Sequence, residues 1–264
     1  MALSDAHAAV LLRNNFNKSI ASSCYWHFPA CKSPSDFIGR TEFKCTRDSP
    51  LPVAENGNAI ITLQSYDPAH LYFYGTDLIS NKSFTLGHGV KVTVRAKMNT
   101  TTPGIVGGIF LYTARPGHTK VRDEIDFELL TDRPDEVHTN VYKRGGPANG
   151  DPQFVSYASG SITGYHRYEI EWLPNRVSWF VDGHLVRTEK KYVPRGPMNF
   201  HLNLWAPSLK WALASSPKLR PVSSTGSNKV FSMSIASVDV ESITVGSGAS
   251  EAKLSIKHGA LKQG

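Results

Sequence analysis

Asp123-Glu124-Ile125-Asp126-Phe127-Glu128-Leu129 sets acids at alternate positions, with Ile, Phe and Leu between them. Successive side chains of an extended strand point to opposite faces, so the run reads as a strand. Glu124, Asp126 and Glu128 then share one face, and Ile125, Phe127 and Leu129 share the other. The apolar set belongs in a core. Three like charges side by side repel one another, which weakens a fold unless something uses them. A solvated strand face is the plain reading of such alternation. A calcium loop is another, because hard cations gather oxygen ligands. The run lacks the turn-forming Gly of the familiar loops, however, and its Ile, Phe and Leu favour a strand.

Working outward, strand signals dominate. Asn58 to Leu63, Val90 to Lys97 and Val177 to Val181 alternate apolar with polar residues. Turn residues separate them: Glu55-Asn56-Gly57, Leu86-Gly87-His88-Gly89 and Asp182-Gly183. Helical periodicity is confined to a weak patch around Ala6 to Leu12. Many short strands with regular turns predict an all-β sandwich or jelly roll. The chain has 264 residues, 40% of them hydrophobic, enough for one large core. No stretch approaches the roughly 18 apolar residues of a membrane span. The net charge of +7 is spread along the chain. A nucleic-acid surface would gather it into a basic stripe with aromatic residues, so neither nucleic acid nor membrane is an expected partner. Cys24, Cys31 and Cys45 are all near the N-terminus, without zinc-site spacing. They allow one disulfide in any of three pairings. Met1 to Asn14 does not read as a signal peptide, and sequons stand at Asn17, Asn81 and Asn99.

The acidic run resembles the Glu-x-Asp-x-Glu signature of glycoside hydrolase family 16, in the form without an extra bulge residue. Gly104 to Thr113 and Val137 to Tyr142 resemble the strands before and after the family's catalytic one. Tyr165 to Trp172 with Val177 to Gly183 resembles its next hairpin, and Met198 to Trp205 the strand carrying its substrate-stacking Trp. These blocks keep their order and cover roughly residues 55 to 245. The resemblance implies a concanavalin-like β-jelly-roll sandwich of two antiparallel sheets with an open substrate cleft. It divides the chain into an N-terminal extension (1–14), a catalytic jelly roll (15–245) and a flexible tail (246–264). Within the jelly roll, Asn15-Phe16-Asn17 is similar to the opening strand and Val238 to Val245 to the closing one.

Hydrolysis of a glycosidic bond uses two positioned carboxyls, one protonated and one ionised. On a straight strand, residues 124 and 128 lie about 13 Å apart by Cα at ~3.3 Å per residue. Two long Glu side chains leaning together close most of that gap; the shorter Asp126 reaches less far. By resemblance, Glu124 is the nucleophile, Glu128 the general acid/base, and Asp126 is hydrogen-bonded to the nucleophile. Close carboxyls do not all ionise easily, so one pKa rises and a proton stays available for the leaving oxygen.

The expected substrate contacts are Trp205 and Trp211 for stacking, with Phe110, Tyr112, His138, Asn140 and Tyr142 on the neighbouring strands. Trp172 and Trp179 read as core. His166 resembles a family histidine; it either orients a neighbour or is a satisfied structural histidine. No metal ligands are expected; a zinc site from His138, His166 and His201 lacks supporting spacing. No cofactor is required, although the resemblance allows a structural calcium ion.

Arg122 departs from lichenases, which commonly carry Trp there. It either meets an acidic or substituted glucan or pairs with Asp123 or Asp77. The expected protein is an extracellular, monomeric endo-β-glucanase acting on β-1,3/β-1,4-linked glucan. Alternatives are a cell-wall or xyloglucan transglycosylase, a depolymerase of acidic exopolysaccharide, and a lectin-like domain without catalysis.

Overall fold

The computed structural model describes residues 8–20, 22–29, 36–43, 52–115 and 118–243. Among these, eighteen strands follow one another: β1 (Val10–Asn14), β2 (Trp26–His27), β3 (Asp36–Ile38), β4 (Thr41–Phe43), β5 (Val53–Glu55), β6 (Asn58–Gln64), β7 (Phe73–Gly75), β8 (Asp77–Phe84), β9 (Val90–Met98), β10 (Val106–Arg115), β11 (His118–Leu130), β12 (Glu136–Tyr142), β13 (Gln153–Ser156), β14 (His166–Leu173), β15 (Arg176–Val181), β16 (His184–Glu189), β17 (Met198–Trp205) and β18 (Val230–Ser242). They form two sheets. The outer sheet runs β16-β15-β14-β9-β18-β6-β7-β4-β3, with β1 on β18 and β5 on β6; the inner sheet runs β13-β12-β11-β10-β17-β8-β2. Pairing is antiparallel except for β4 against β7. This is the expected two-sheet jelly roll.

Alternation in the sequence becomes alternation in burial. In β6 and β9 every second residue is buried, as a strand with one face on a core requires. The turns before and after follow suit: Asn56 and Gly57 have φ of 49° and 70°, and Asp182 and Gly183 of 51° and 83°. Positive φ at both central residues is what two-residue hairpins need, and Asn-Gly and Asp-Gly adopt it at least cost.

Between the sheets lies one core, to which the outer sheet gives Val92, Val94, Tyr168, Ile170, Trp172 and Trp179. The inner sheet gives Ile109, Leu111, Phe200, Leu202 and, from the acidic strand, Ile125, Phe127 and Leu129. Those last three are fully buried. At about 1.5–3 kcal/mol per side chain they contribute roughly 5–9 kcal/mol of gross burial energy. That anchors β11 against the repulsion on its other face.

Three sequence-based boundaries change. Val10–Asn14 belongs to the fold, paired with β18, so the jelly roll starts before residue 15. Leu12 is buried there, and Asn14 Oδ1 accepts a bond from Phe16 N at 2.7 Å. That Asx-turn ends the strand and places Phe16 at φ 54°, so Asn15-Phe16-Asn17 is not a strand. Between Tyr74 and Ser80 the chain changes sheets, leaving the outer sheet after Gly75 and joining the inner sheet at Asp77. A Cβ on Gly75 would lie 2.6 Å from Leu204 O, so the close crossing requires glycine. The closing strand is longer than expected and runs from Val230 to Ser242. Val245, the tail 246–264, Cys31 and Cys45 lie outside the described residues; Cys24 is exposed and unpaired.

Candidate active site

The inner sheet presents its free face to an open cleft of about 720 Å³. Strand register explains what stands there. In β10–β11, Tyr112 pairs with Glu124, Phe110 with Asp126 and Gly108 with Glu128. On the other side of β11, Glu124 pairs with Tyr142, Asp126 with Asn140 and Glu128 with His138. Paired residues share a face, so the three carboxylates lie in a row on the cleft floor with Tyr142, Asn140 and His138 beside them. Gly108, opposite Glu128, has no room for a side chain, since a Cβ there would lie 2.4 Å from Asn203 Oδ1.

Of the residues expected from sequence, Arg122, Glu124, Asp126, Glu128, His138, Asn140, Tyr142, Trp205 and Trp211 all line this cleft. Trp205 is buried at its wall and stacks on the more open Trp211, ring centroids 5.9 Å apart. Phe110 and Tyr112 share the same sheet face but do not line the cleft; they pack around His201, at 4.9 and 5.7 Å. Trp172 and Trp179 are core, as expected.

Each acid has different surroundings. Arg122 Nε is bonded to Glu124 Oε2, and its guanidinium lies 3.7 Å from the centre of the Tyr142 ring. Neither alternative partner is available to Arg122. Asp123 accepts from the backbone N–H of Arg144 and Gly196, each at 2.9 Å, and Asp77 lies 2.9 Å from His201 Nδ1. Glu128 Oε2 lies 2.6 Å from His138 Nδ1, and that ring is held between Phe154 and Trp211. Asp126 Oδ1 is buried without a partner. The bond seen on Glu124 Oε2 comes from Arg122.

Burial dominates the electrostatics. It pushes the Glu124 carboxyl up to about 7, against the opposing pull of Arg122. Burial, reinforced by the charges of Glu124 and Glu128, pushes Asp126 well above the ordinary carboxylate range. Burial likewise raises Tyr142 to about 12, so its hydroxyl stays neutral. Asp126 thus holds its proton tightly, since charge there is both desolvated and flanked by charge.

The floor is tied to the core from below. Trp179 Nε1 donates to the Asp126 carbonyl at 3.0 Å. Buried Arg187 donates to Thr139 O at 2.9 Å and to Asp151 Oδ2 at 2.9 Å. Asn140 Oδ1 accepts from Asp151 N at 2.9 Å, so its side chain shapes the cleft-edge loop.

Sequence reasoning missed several cleft residues. Phe154 pairs with His138 in register, and its position on a short, irregular strand carried little signal. Ile38 ends the short strand β3, and Asn149 and Leu213 come from loops, which periodicity does not reach. The His201–Asp77 pair was readable in part, because His201 has the same parity as Trp205 on β17. His166 is remote: it lies in the outer sheet, bonded to Asp182 and Ser161 O. Among the described residues, no group of three or more His, Cys, Asp or Glu side chains is placed to hold a metal ion. The allowed calcium therefore has no carboxylate cluster there.

Residues 39–219 match the sequence profile of the glycosyl hydrolases family 16. The chain is 32% identical over 166 residues to a β-glucanase of Bacillus amyloliquefaciens, covering 62% of this chain and 65% of that one. It is 33% identical over 166 residues to a β-glucanase of Bacillus subtilis (strain 168), covering 62% and 64%. The match thus spans just under two thirds of these relatives' length. The fold is shared with a solved β-1,3-1,4-glucanase (lichenase) derived from a mouse hindgut metagenome. Its TM-score is 0.69 at 21% identity, over 88% of this chain and 99% of that one. A profile match over more than half of the chain, on a two-sheet fold with its acidic strand in the cleft, shows that this protein belongs to glycosyl hydrolases family 16.

Proposed function

We propose that the chain is a retaining endo-β-glucanase that hydrolyses β-1,3/β-1,4-linked glucan through a covalent glycosyl-enzyme. The observation that carries this reading is the row Glu124, Asp126 and Glu128 on the floor of an open cleft walled by Trp205, Trp211 and Phe154. An open cleft admits the middle of a polymer, and flat indole faces suit the C–H faces of sugar rings.

Glu124 attacks the anomeric carbon as the glycosidic C–O bond breaks, and Glu128 gives its proton to the leaving oxygen. Water then attacks the same carbon, returning the electron pair to Glu124 and a proton to Glu128. Protonated Asp126 leaves one negative charge fewer beside Glu124, so the nucleophile ionises at lower pH than it would beside two anions. The reaction as read uses no cofactor, and the protein acts outside the cell as a monomer. The names of the β-glucanase relatives support a glucan substrate. The pairing of Arg122 with Glu124 argues against an acidic polysaccharide, since that cation is already engaged.

The test is incubation with barley β-glucan, laminarin, xyloglucan and succinoglycan, following reducing ends and product length. Mixed-linkage glucan shortened to oligosaccharides with retained anomeric configuration is the expected outcome. Products longer than the substrate would replace hydrolysis by transfer, and cleavage of succinoglycan alone would overturn the substrate.

A further inference from the structure

We propose that Arg122 is a positioning residue for the nucleophile, speeding release of the sugar from Glu124 at the expense of its capture. The inference rests on the reading of Glu124 as nucleophile. The guanidinium Nε bonds Oε2 of Glu124 on the same strand face, and the guanidinium carbon lies 3.7 Å from the centre of the Tyr142 ring. Arg122 and Glu124 are 23% and 16% exposed, so the pair is poorly screened by water. An arginine stacked on an aromatic ring is held in one plane, which fixes the carboxylate it bonds.

One oxygen of Glu124 is bonded to Arg122, and the other remains for attack. In the first step this oxygen bonds the anomeric carbon, the glycosidic bond breaks, and Glu124 becomes a neutral ester. Arg122 then has no anion bonded to it. In the second step water bonds the anomeric carbon, the C–O bond to Glu124 breaks, and its electron pair returns to the carboxylate. A fixed cation favours every state in which Glu124 is anionic. It therefore makes Glu124 a weaker nucleophile and a better leaving group, and lets it ionise at lower pH.

The charged and titratable groups around Glu124 come from four strands. Arg122, Asp126 and Glu128 share β11, Tyr142 and His138 stand on β12, Tyr112 on β10 and His201 on β17. Arg122 is the cation bonded directly to Glu124 among them; burial opposes it and holds the carboxyl at about 7. The choice of residue at 122 then sets where activity begins on the pH scale.

The test compares Arg122→Gln and Arg122→Lys with the wild type on mixed-linkage glucan. In Arg122→Gln the acidic limb of the kcat/KM profile should move upward by about 1–3 pH units, the span an adjacent opposite charge commands. Acid-quenched samples analysed by intact-protein mass should show a larger fraction of glycosyl-enzyme than the wild type. Arg122→Lys should restore much of both. A variant damaged only in folding lowers the whole profile without moving its limb. An unmoved limb, or no increase in glycosyl-enzyme, would overturn the inference while leaving the nucleophile assignment intact. That assignment fails separately if Glu124→Gln still forms product at the wild-type rate.

Discussion

Replacing Glu124 with Gln should abolish activity and, above neutral pH, make the protein more stable. Folding raises this carboxyl from an ordinary 4.5 to about 7, mainly through burial. The folded state then binds the proton more tightly than the unfolded state between those two values. Stability contributed by the protonated carboxyl is full below about 4.5 and is lost as pH rises to about 7. At about 1.36 kcal/mol per pH unit, ionised Glu124 costs the folded state roughly 3 kcal/mol. Gln resembles the protonated acid in shape and charge, so the variant keeps Arg122 beside a neutral group at every pH. Asp126, relieved of one neighbouring charge, is pushed up less, which adds to the gain. The difference at pH 8 is then about 3 kcal/mol. For a domain of this size that is roughly 6–12 °C in Tm. Thermal unfolding of both proteins by circular dichroism at pH 4, 6 and 8 measures it. The curves should nearly coincide at pH 4 and separate by pH 8, with the variant higher. A separation that stays constant or shrinks with rising pH would refute the assignment of a burial cost to this carboxylate. Glucan hydrolysis by the variant should fall about a thousandfold or more, as for other nucleophile deletions.

Further predictions concern the groups around the trio. His138→Ala removes the 2.6 Å contact to Glu128; a hydrogen bond to a charged group is worth about 1.5–3 kcal/mol, so kcat/KM should drop roughly ten- to hundredfold, read from initial rates. Trp179→Phe leaves the buried Asp126 carbonyl without its donor and should cost about 1–3 kcal/mol in urea unfolding, with a loss in kcat. In Gly108→Ala the added methyl meets Asn203 Oδ1 beside Glu128; overpacking of about 1–3 kcal/mol and a lower kcat are expected, measured by unfolding and initial rates. Arg187→Met removes the donors to Thr139 O and Asp151 and frees the cleft-edge loop, and should lower stability by about 1–3 kcal/mol in urea unfolding. Limited proteolysis near residue 150 should speed up accordingly.

Much of the fold was readable because period-two alternation carries both the element type and the buried face. Met198 to Trp205 was placed residue for residue, and β6 and β9 followed their alternation. Legibility failed where long-range contacts override local pattern. The crossing at Gly75 depends on the backbone of Leu204, 129 positions away in the chain. The strand at Val10–Asn14 exists because β18 returns beside it.

The acidic strand shows the same division within one site. Alternation alone determined that Glu124, Asp126 and Glu128 share a face, because side-chain direction in a strand is a local property of the backbone. Spacing along the chain also implied that three close carboxyls do not ionise alike. Which partner each acid has was decided only by the tertiary structure. The sequence offered Arg122 two acids, Asp123 and Asp77, and packing gave it neither: Asp123 points to the backbone of Arg144 and Gly196, Asp77 to His201, and Tyr142 supports the guanidinium against Glu124. Burial, too, is a property of the assembled sheets. It raises Glu124 and Asp126, and no run of seven residues contains it.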